Sequence, residues 1–376
     1  MSKTEDQIWA AEVLQRIQEK YSVITDRNPK DFFPYTVEQG RFRESKYEHD
    51  YEWWTNGFYP GILWKLYLMS KNKKYRTLAE DYESMLDIPL NHFEGLHHDA
   101  GFMWLTSAVA DYRITQNSRS RMRGLHAASV LASRFNIRGN FIRAWNGEEN
   151  GGWAIIDSMM NIPILYWASR ELKDPRFYYI AKSHADKVMD HFIREDGSVR
   201  HIVSFDLQDG NFIEEMGGQG FQKGSAWTRG QAWAIYGFLL SYLHTGDEKY
   251  LNASKKTAHY FLAALSLERD YVPPCDFRAP EKPVYKDTTA GAIAACGLWE
   301  IGKAVPEEER GLYQKCAVKI LRSIEKNYCS WDMNKDGIVI CGTERYGEGT
   351  NIPIIYGDYY FIEALMKIAE SDVLFW

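Results

Sequence analysis

Apolar residues recur at intervals of three and four positions along most of the chain, which is the spacing of one face of an α-helix. The pattern predicts twelve helices, near residues 4–21, 56–70, 75–91, 100–115, 118–135, 158–172, 176–193, 229–244, 248–265, 288–303, 308–327 and 358–371. Strand-like alternation is confined to short connectors such as GSVRHIVSF and DGIVIC. The chain is therefore predicted to belong to the all-α class.

The predicted helices alternate between two kinds. One kind is charged on one face and begins with a polar turn, as in NKKYRTLAEDY and GDEKYLNASKKTA, which is typical of an outer helix. The other is rich in glycine, alanine and aromatic residues, as in RGQAWAIYGFLLSYL and TTAGAIAACGLWEI, which favours burial on all sides. Six such pairs, repeating at roughly sixty residues, predict an (α/α)6 barrel of six helical hairpins. No stretch resembles a linker, so residues 1–376 are expected to form a single domain.

In such a barrel the inner helices run in one direction, so their first residues gather at one end. Those predicted first residues are all polar: Asn56, Asp99, Asp157, Arg229, Asp287 and Asp358. Asp and Asn are favoured helix caps, and acidic side chains suit the positive end of the helix dipole. Capping is expected to account for Asp287 and Asp358. The end of the ring that these residues share is also where a ligand would bind.

The bulk properties restrict the partners and the compartment. A net charge of -6 argues against nucleic acid, because phosphate binding needs a basic surface. Five scattered cysteines without a C-x-x-C motif suit a reducing compartment. The first residues lack the apolar run of a signal peptide, and no window is long and apolar enough to span a membrane. A cytoplasmic protein is therefore expected. Aromatic residues make up 15% of the chain, and they either fill a core or line a sugar-binding cleft.

Two segments resemble metal sites without matching one. In GLHHDAGF, the side chains of His97, His98 and Asp99 are expected to diverge because they are consecutive, so no metal site is predicted. Capping and catalysis remain equal alternatives for Asp99. The segment that begins at Asp332 starts like a calcium loop, but Thr343 occupies the last position, where that loop requires Glu. A turn is predicted there.

Asp157 is the more informative carboxylate. It lies in NGGWAIIDSMMNIPILYWA, and its apolar neighbours are expected to desolvate it, which raises a carboxyl pKa toward that of a general acid. A capping role is the alternative. Most glycoside hydrolases use two carboxyl groups that face each other across the substrate-binding cleft. Arg229 and Trp233 are four positions apart on one helix face, where the arginine either grips a ligand carboxylate or satisfies loop carbonyls.

Taken together, several segments resemble the unsaturated glucuronyl hydrolases, glycoside hydrolase family 88. The segments are WWTNGFYPGILW, HHDAGF, NGGWAIIDSMMNIPILYWA, GSAWTRGQAWAIYGF, DTTAGAIAACGLWEI and YGDYYFIEAL, and they span nearly the whole chain. The resemblance implies an (α/α)6 barrel that acts on lyase-generated oligosaccharides ending in a glucuronate with a C4=C5 double bond. Such an enzyme protonates C4 and adds water at C5, and one carboxyl group serves as both acid and base.

Matched position by position, the resemblance implies that the acid/base is Asp157. The second essential aspartate falls on Asp99, where it would bind the ring and stabilise developing charge. Substrate contacts fall on Trp54, His98, Trp145, His201, Gln219, Arg229 and Trp233. No cofactor or metal is expected, and the partner is the unsaturated oligosaccharide itself.

One departure and three rivals stand beside this interpretation. Relatives that act on sulfated disaccharides carry a serine- and lysine-rich segment in the last loop, whereas GTERYGEGTNIPIIYGD lacks one; Lys223 is a candidate replacement. The nearest rival is an unsaturated rhamnogalacturonyl hydrolase on the same barrel. A sugar epimerase would be expected to use histidines as acid and base, and a non-catalytic carbohydrate-binding protein is the third alternative. A monomer is expected, because a closed barrel needs no partner to complete its core.

Overall fold

The computed structural model describes residues 3–28, 30, 32–45, 47, 49–371 and 374–376. Its α-helices are α1 (Glu5–Arg27), α2 (Phe58–Ser70), α3 (Lys73–Met85), α4 (Asp87–His92), α5 (Ala100–Trp104), α6 (Ala110–Thr115), α7 (Ser118–Ser133), α8 (Pro163–Leu172), α9 (Pro175–Phe192), α10 (Thr228–Thr245), α11 (Glu248–Leu265), α12 (Thr288–Ala304), α13 (Glu307–Tyr328) and α14 (Ile355–Ile368). Short 3₁₀ turns lie at Trp54–Gly57, Glu148–Asn150 and Ile156–Met160, and a π-helical turn lies at Leu105–Val109. The prediction of a mostly helical chain is confirmed.

Each of the twelve predicted helices is present, although two are interrupted. The helix predicted near 75–91 divides into α3 and α4, and the one near 100–115 divides into α5, the π-helical turn and α6. Side-chain hydroxyls account for the second interruption. Thr106 Oγ1 donates to the carbonyl of Phe102 at 2.8 Å and Ser107 Oγ donates to that of Met103 at 2.5 Å. Hydroxyls that bond to helical carbonyls in this way loosen the regular ladder.

The helices pack in pairs, and one member of each pair belongs to a closed cycle. The pairs are α2 with α3, α5 with α7, α8 with α9, α10 with α11, α12 with α13, and α14 with α1. Further contacts join α2 to α6, α5 to α8, α8 to α10, α10 to α12, α12 to α14, and α14 back to α2. Helices α2, α10, α12 and α14 are buried along most of their length, whereas α3, α9, α11 and α13 expose polar faces. This burial agrees with the predicted division into inner and outer helices.

A column of aromatic rings fills the space between the buried helices. The ring centroid of Phe102 lies 5.0 Å from that of Trp233 and 6.0 Å from that of Trp376. Trp376 in turn stacks on Tyr360, with centroids 5.8 Å apart and ring planes 7° apart. All four side chains are buried. Ring contacts of this kind add to the stability gained from burying apolar area.

Short strands lie in the connections that lead from an outer helix to the next inner helix. They are β1 (Thr36–Glu38), β2 (Arg41–Arg43), β3 (Phe135–Asn136), β4 (Phe141–Ile142), β5 (Trp153–Ile155), β6 (Ile202–Phe205), β7 (Phe212–Met216), β8 (Gly342–Arg345) and β9 (Glu348–Ile352). The connector GSVRHIVSF supplies β6, the centre of the antiparallel sheet β5–β6–β7. The connector DGIVIC forms an isolated bridge between Cys329 and Val339 rather than a strand. The other strands were not predicted, because two to five residues are too few to show alternation.

The two capping predictions have opposite outcomes. Asp287 caps α12 as predicted, accepting from the backbone N–H groups of Thr289 at 3.2 Å and Ala290 at 3.4 Å. The prediction for Asp358 is wrong, because α14 begins three residues earlier at Ile355. The Asp358 carboxylate instead accepts from the backbone N–H groups of Ile338 and Val339 and from the Tyr21 hydroxyl. It therefore ties the loop before β8 to α14.

Gly101 is required by a close approach between two segments of the site. A Cβ atom at Gly101 would lie 2.3 Å from the Cα atom of Asn161, which is closer than real Cβ atoms come to backbone. We expect Gly101→Ala to lower the free energy of unfolding by about 1–3 kcal/mol, as overpacking does. Chemical denaturation checks this. The matched control is Gly311→Ala in α13, where the added Cβ has room and should stabilise the helix slightly. Equal stability of the two variants would contradict the close-approach argument.

The remaining sequence expectations concern the loop at Asp332, the membrane and the cysteines. The loop is a turn as predicted, and Asp336 within it is engaged by Arg27 Nε at 2.9 Å and by the backbone N–H of Phe42 at 3.0 Å. Within the described part of the chain, no helix has the length and apolar character needed to cross a membrane. All five cysteines are free thiols.

Candidate active site

The two candidate carboxylates lie just outside regular helices. Asp157 belongs to the 3₁₀ turn Ile156–Met160, and α8 begins only at Pro163. Asp99 occupies the residue before α5, but its side chain makes no capping hydrogen bond. Capping was the alternative for both residues, and neither carboxylate performs it. Both side chains are buried, so another reason is needed for keeping two carboxylates in this part of the fold.

Three side-chain nitrogen atoms lie around the Asp99 carboxylate. Its Oδ2 lies 3.2 Å from His97 Nδ1 and 3.3 Å from His98 Nε2, and its Oδ1 accepts from Asn161 Nδ2 at 3.1 Å. Burial by itself raises the pKa of Asp99, but the two imidazoles and the Asn161 amide outweigh it and hold the pKa below the ordinary carboxyl value. Asp99 is therefore an anion at neutral pH.

The prediction that the side chains of this segment diverge is wrong. The three side chains were expected to diverge, yet their candidate ligand atoms all lie within 4.8 Å of one another. The residues before α5 form a turn rather than a helix or strand, so neither regular periodicity applies to them. The geometry has another explanation, because two imidazoles and an amide directed at one carboxylate are what a buried anion needs.

Asp157 is the electrostatic opposite of Asp99. Burial first, and the negative charge of Asp99 second, raise its pKa to about 8, against weaker opposing effects from Arg229 and others. Its Oδ1 atom is buried and has no hydrogen-bond partner among the described residues. The indole N–H of Trp233 lies beside the carboxyl group without forming a well-aligned hydrogen bond. Asp157 thus carries a proton at neutral pH and makes it available to a ligand.

His201 faces Asp157 with its other nitrogen fixed. The backbone N–H of Gln219 donates to His201 Nδ1 at 3.0 Å, and burial lowers the pKa of His201 to about 3. The neutral ring must therefore carry its hydrogen on Nε2, which lies 3.8 Å from Asp157 Oδ1. The ring also packs on Trp227, with centroids 4.1 Å apart. His201 is a hydrogen-bond donor directed at the place where a group bound to Asp157 would lie.

His98 is an acceptor by the same reasoning. Burial lowers its pKa to about 3, so the ring is neutral, and Nε2 faces the Asp99 carboxylate as the N–H donor. The lone pair is left on Nδ1, which is buried and unpartnered within the described part of the chain. The ring meets Trp145 edge to face at 5.7 Å. His98 therefore offers a hydroxyl-accepting nitrogen beside an aromatic surface.

Arg229 holds loops together, which was the second of its two predicted alternatives. Nη1 donates to Asp287 Oδ2 at 2.7 Å and to the Thr343 carbonyl at 2.6 Å, and Nη2 donates to the Glu344 carbonyl at 2.7 Å. The guanidinium also lies over the rings of Trp227 and Tyr356, at 4.5 Å and 5.5 Å from their centroids. These contacts fix the β8–β9 hairpin against the start of α10.

Side-chain contacts connect the other predicted contact residues to their neighbours. Trp54 packs on Phe102 at 5.4 Å, Trp145 on Trp153 at 6.1 Å, and Gln219 Nε2 donates to the Glu344 carbonyl at 2.9 Å. Lys223 is exposed, and its ammonium pairs with Glu214 at the surface rather than with the residues around Asp99 and Asp157. The structure thus joins the predicted residues through Asp99, Asp157 and the aromatic rings, apart from Lys223.

Sequence and structure comparisons agree with this geometry. The profile of Glycosyl Hydrolase Family 88 matches residues 30–363. The chain belongs to this family. Its relatives include the unsaturated glucuronyl hydrolase of Bacillus sp. (strain GL1), 36% identical over 94% of this chain and 96% of the relative. The crystal structure of the Bacillus sp. GL1 enzyme superposes with a TM-score of 0.88.

Two further relatives bear on the ligand. The unsaturated chondroitin disaccharide hydrolase of Streptococcus pneumoniae is 33% identical over 86% of this chain and 83% of its own length. A variant of the Streptococcus agalactiae unsaturated glucuronyl hydrolase, solved as a complex with dGlcA-GalNAc6S, covers 98% of this chain and 94% of that chain at 26% identity, with a TM-score of 0.84. The predicted family is therefore confirmed, and this family 88 chain is a glycoside hydrolase.

Sequence reasoning missed two residues of this family 88 site. Asn161 bonds to Asp99 through Nδ2, which also donates to the Asp157 carbonyl at 3.2 Å, and its Oδ1 accepts from the Phe102 backbone at 2.7 Å. Trp227 packs between His201 and Arg229. The only signal for Asn161 is its spacing of four residues from Asp157 in the segment IIDSMMN. Asn161 is a fully buried polar residue in an otherwise apolar stretch, which is the kind of position that a site residue occupies.

Proposed function

We propose that the protein releases unsaturated (4,5-dehydro) glucuronic acid from the non-reducing end of lyase-generated oligosaccharides, such as chondroitin- or hyaluronan-type disaccharides. The observation that carries this proposal is the facing pair of Asp157 Oδ1 and His201 Nε2. The two atoms are 3.8 Å apart and buried, and neither has a partner among the described residues. Buried polar atoms are costly unless a ligand completes their hydrogen bonds. A proton donor set beside a fixed N–H suits the hydration of a sugar double bond.

The proposed fold is a single-domain (α/α)6 barrel over residues 1–376. The closed cycle of buried helices and the pairing of each with an outer helix support it. The candidate residues then lie at the end where the inner helices begin. Loops in that position are free to vary without disturbing the barrel, which is how such folds accommodate a ligand.

The proposed mechanism begins with the proton on Asp157. Transfer of this proton to C4 converts the C4=C5 enol ether into a cation shared between C5 and the ring oxygen. The anionic Asp99 stabilises that positive charge, and it stays ionised because His97, His98 and Asn161 surround it. The resulting Asp157 carboxylate then takes a proton from water as the water oxygen bonds to C5. The hemiketal opens, and the former glycosidic carbon expels the partner sugar.

The neutral histidines have separate tasks in this proposal. His201 Nε2–H donates to a substrate oxygen or to the attacking water, and His98 Nδ1 accepts from a sugar hydroxyl. The partly exposed rings of Trp54 and Trp145 supply apolar surface for the faces of the sugar, whereas the Trp233 ring is fully buried. Because the last loop, GTERYGEGTNIPIIYGD, lacks a serine- and lysine-rich segment, we propose that a sulfate group on the partner sugar is not required.

A panel of unsaturated disaccharides tests the proposal. Each substrate absorbs in the ultraviolet through its double bond, and incubation should erase that absorbance without added metal. The panel should include unsulfated and sulfated chondroitin, hyaluronan and rhamnogalacturonan products. Loss of absorbance only with the last would identify the rival rhamnogalacturonyl hydrolase. Interconversion of saturated sugars with the double bond intact would identify an epimerase, and binding without turnover a carbohydrate-binding protein.

The opposed carboxyl environments predict the pH dependence of kcat/KM. The rate should fall as the pH rises through about 8, because Asp157 then loses the proton that it must donate. On the acid side, kcat/KM should stay constant until the pH falls below the ordinary carboxyl range, where Asp99 becomes protonated. Initial rates from pH 10 down to pH 4, each paired with a check that the protein remains folded, should show the alkaline limb and no acid limb. A rate that rises through pH 8 would show that Asp157 acts as a base in the free enzyme.

A monomeric state and a cytoplasmic location stay predictions. Size-exclusion chromatography with light scattering tests the first of these directly.

A further inference from the structure

The carboxyl group of Asp157 depends on its backbone for its position. Its Oδ1 atom has no partner in the described part of the chain, so the side chain is not held by hydrogen bonds of its own at that atom. The 3₁₀ turn around it is held instead. Ile156 N donates to the His201 carbonyl at 3.0 Å, and Asn161 Nδ2 donates to the Asp157 carbonyl at 3.2 Å. A third attachment comes from a distant outer helix.

That attachment is His184, which reaches inward from α9. Its Nε2 lies 2.6 Å from the hydroxyl of Ser158, the residue after Asp157. Its Nδ1 accepts from the backbone N–H of Ile142 at 2.9 Å, and the Ser158 hydroxyl donates to the Ile155 carbonyl at 2.5 Å. The imidazole therefore joins two segments, one containing Asp157 and the other leading into Trp145.

The hydrogen-bond partners determine the tautomer of His184. Because an N–H group already points at Nδ1, that nitrogen must present a lone pair, and the hydrogen lies on Nε2. The Nε2–H donates to Ser158 Oγ, whose own hydrogen goes to the Ile155 carbonyl. Burial lowers the pKa of His184 to about 3, so the ring stays neutral across the working range. Every polar atom in this chain of bonds has one defined role.

We infer that His184 is a positioning residue that sets the Asp157 turn against the segment carrying Trp145, acting through Ser158. This inference rests on the proposed function, because it gives Asp157 the role of acid. Reacting groups must be placed to a fraction of an ångström, and misplacement by about 1 Å can cost roughly 100-fold in rate. A side chain that is fully buried and bonded at both ring nitrogens is suited to such a task.

Two amide substitutions at His184 test the roles of Nε2 and Nδ1 separately. In His184→Gln the amide nitrogen falls near the place of Nε2 and can still donate to Ser158. In His184→Asn the amide oxygen falls near the place of Nδ1 and can still accept from Ile142. We expect His184→Gln to keep kcat within about threefold, and His184→Asn to lower kcat by roughly 10- to 100-fold with KM little changed. Ser158→Ala, which removes the acceptor on the other side, should resemble His184→Asn.

The control is His259→Ala, which removes a histidine from outer helix α11. His259 bonds to the Tyr313 hydroxyl at 2.9 Å, away from the carboxylates, so its loss should lower stability without altering kcat. An assay of the wild-type protein on the panel of unsaturated disaccharides separates a failure of the proposed function from a failure of the positioning role of His184. An inactive wild type refutes the proposed function.

The inference itself has its own failing outcomes. With an active wild type, a folded Ser158→Ala variant at full kcat overturns it, even if both His184 variants fail to fold. Equal losses in His184→Gln and His184→Asn, accompanied by equal losses of thermal stability, also overturn it, because they would show a structural role alone. The expected order is wild type and His184→Gln together, with His184→Asn and Ser158→Ala together at lower kcat.

Discussion

Replacing Asp157 with asparagine is expected to abolish turnover and to raise the melting temperature. The loss of turnover follows from the proposed double role of the carboxyl group as acid and then base. General acid–base groups contribute about 10²- to 10⁴-fold, and the loss should lie at the upper end because an amide can fill neither role. Initial rates on the best unsaturated disaccharide measure it. Wild-type turnover by Asp157→Asn would assign the proton transfer to another group.

The gain in stability follows from the sign of the pKa shift. The pKa of Asp157 is about 8 in the folded protein and near 3.8 in the unfolded chain, so the folded state binds the proton more tightly. Its contribution to stability is fully present below the unfolded value and is lost as the pH rises through the folded value. An asparagine does not titrate and has no such loss. The difference in melting temperature should therefore be larger at pH 8.5 than at pH 5.

A matched control separates this effect from a general response to removing charge. Asp190→Asn alters an exposed carboxylate on α9 and should leave both turnover and melting temperature near their wild-type values. Thermal melts of the three proteins at pH 5 and 8.5 complete the comparison. A melting temperature for Asp157→Asn below that of the wild type at pH 8.5 would contradict the proposed protonation of Asp157.

Replacing Asp99 with asparagine is expected to lower turnover and stability together. The substitution removes the anion that faces the positive charge formed in the reaction, an interaction for which losses of about 10²- to 10³-fold are typical. It also removes a charge that raises the pKa of Asp157, so the alkaline limb of the rate profile should move to lower pH. Rates across the pH range measure both effects. An alkaline limb that stays in place would show that the two carboxyl groups do not interact.

The stability change has the opposite sign to that of Asp157→Asn. The pKa of Asp99 is depressed in the folded protein, so its contribution is present above the unfolded value and is lost as the pH falls through the folded value. At neutral pH the substitution removes this contribution and leaves His97, His98 and Asn161 without their anion. Asp99→Asn should melt below the wild type at pH 7, and Asp157→Asn above it. The same change of side chain at two neighbouring sites thus gives opposite results.

The helical part of the fold was predictable because burial is periodic. Glycine and alanine in α10 and α12 indicate close packing on all sides, and charges along α11 and α13 indicate a solvent-exposed face. The composition of each of these helices therefore predicts its burial. The short strands and the π-helical turn were not predictable in this way. They depend on partners from other parts of the chain, as in the bond between Thr106 and the Gly57 carbonyl.

In the candidate site, too, features set by neighbouring residues in the sequence were predictable, and features set by distant residues were not. The apolar neighbours of Asp157 are adjacent in sequence, so its desolvation was visible in advance, and the folded protein adds the charge of Asp99 as a second cause. The convergence of His97, His98 and Asp99 was missed because the argument assumed regular secondary structure in a turn. His184 was missed because it lies on a helix correctly predicted to be outer, and its inward contacts with Ile142 and Ser158 leave no local pattern.

The aromatic column in the core limits how far a long oligosaccharide can enter. Phe102, Trp233, Tyr360 and Trp376 are buried and in contact with one another, so they leave no passage for a sugar chain between the inner helices. An oligosaccharide cannot be threaded onward after its terminal unit has been cut. Under the proposed function, the shortened chain must therefore leave by the route through which it entered, and it carries no second C4=C5 double bond. Each chain should lose one terminal unit only, so a long substrate of defined length should give a single product one unit shorter.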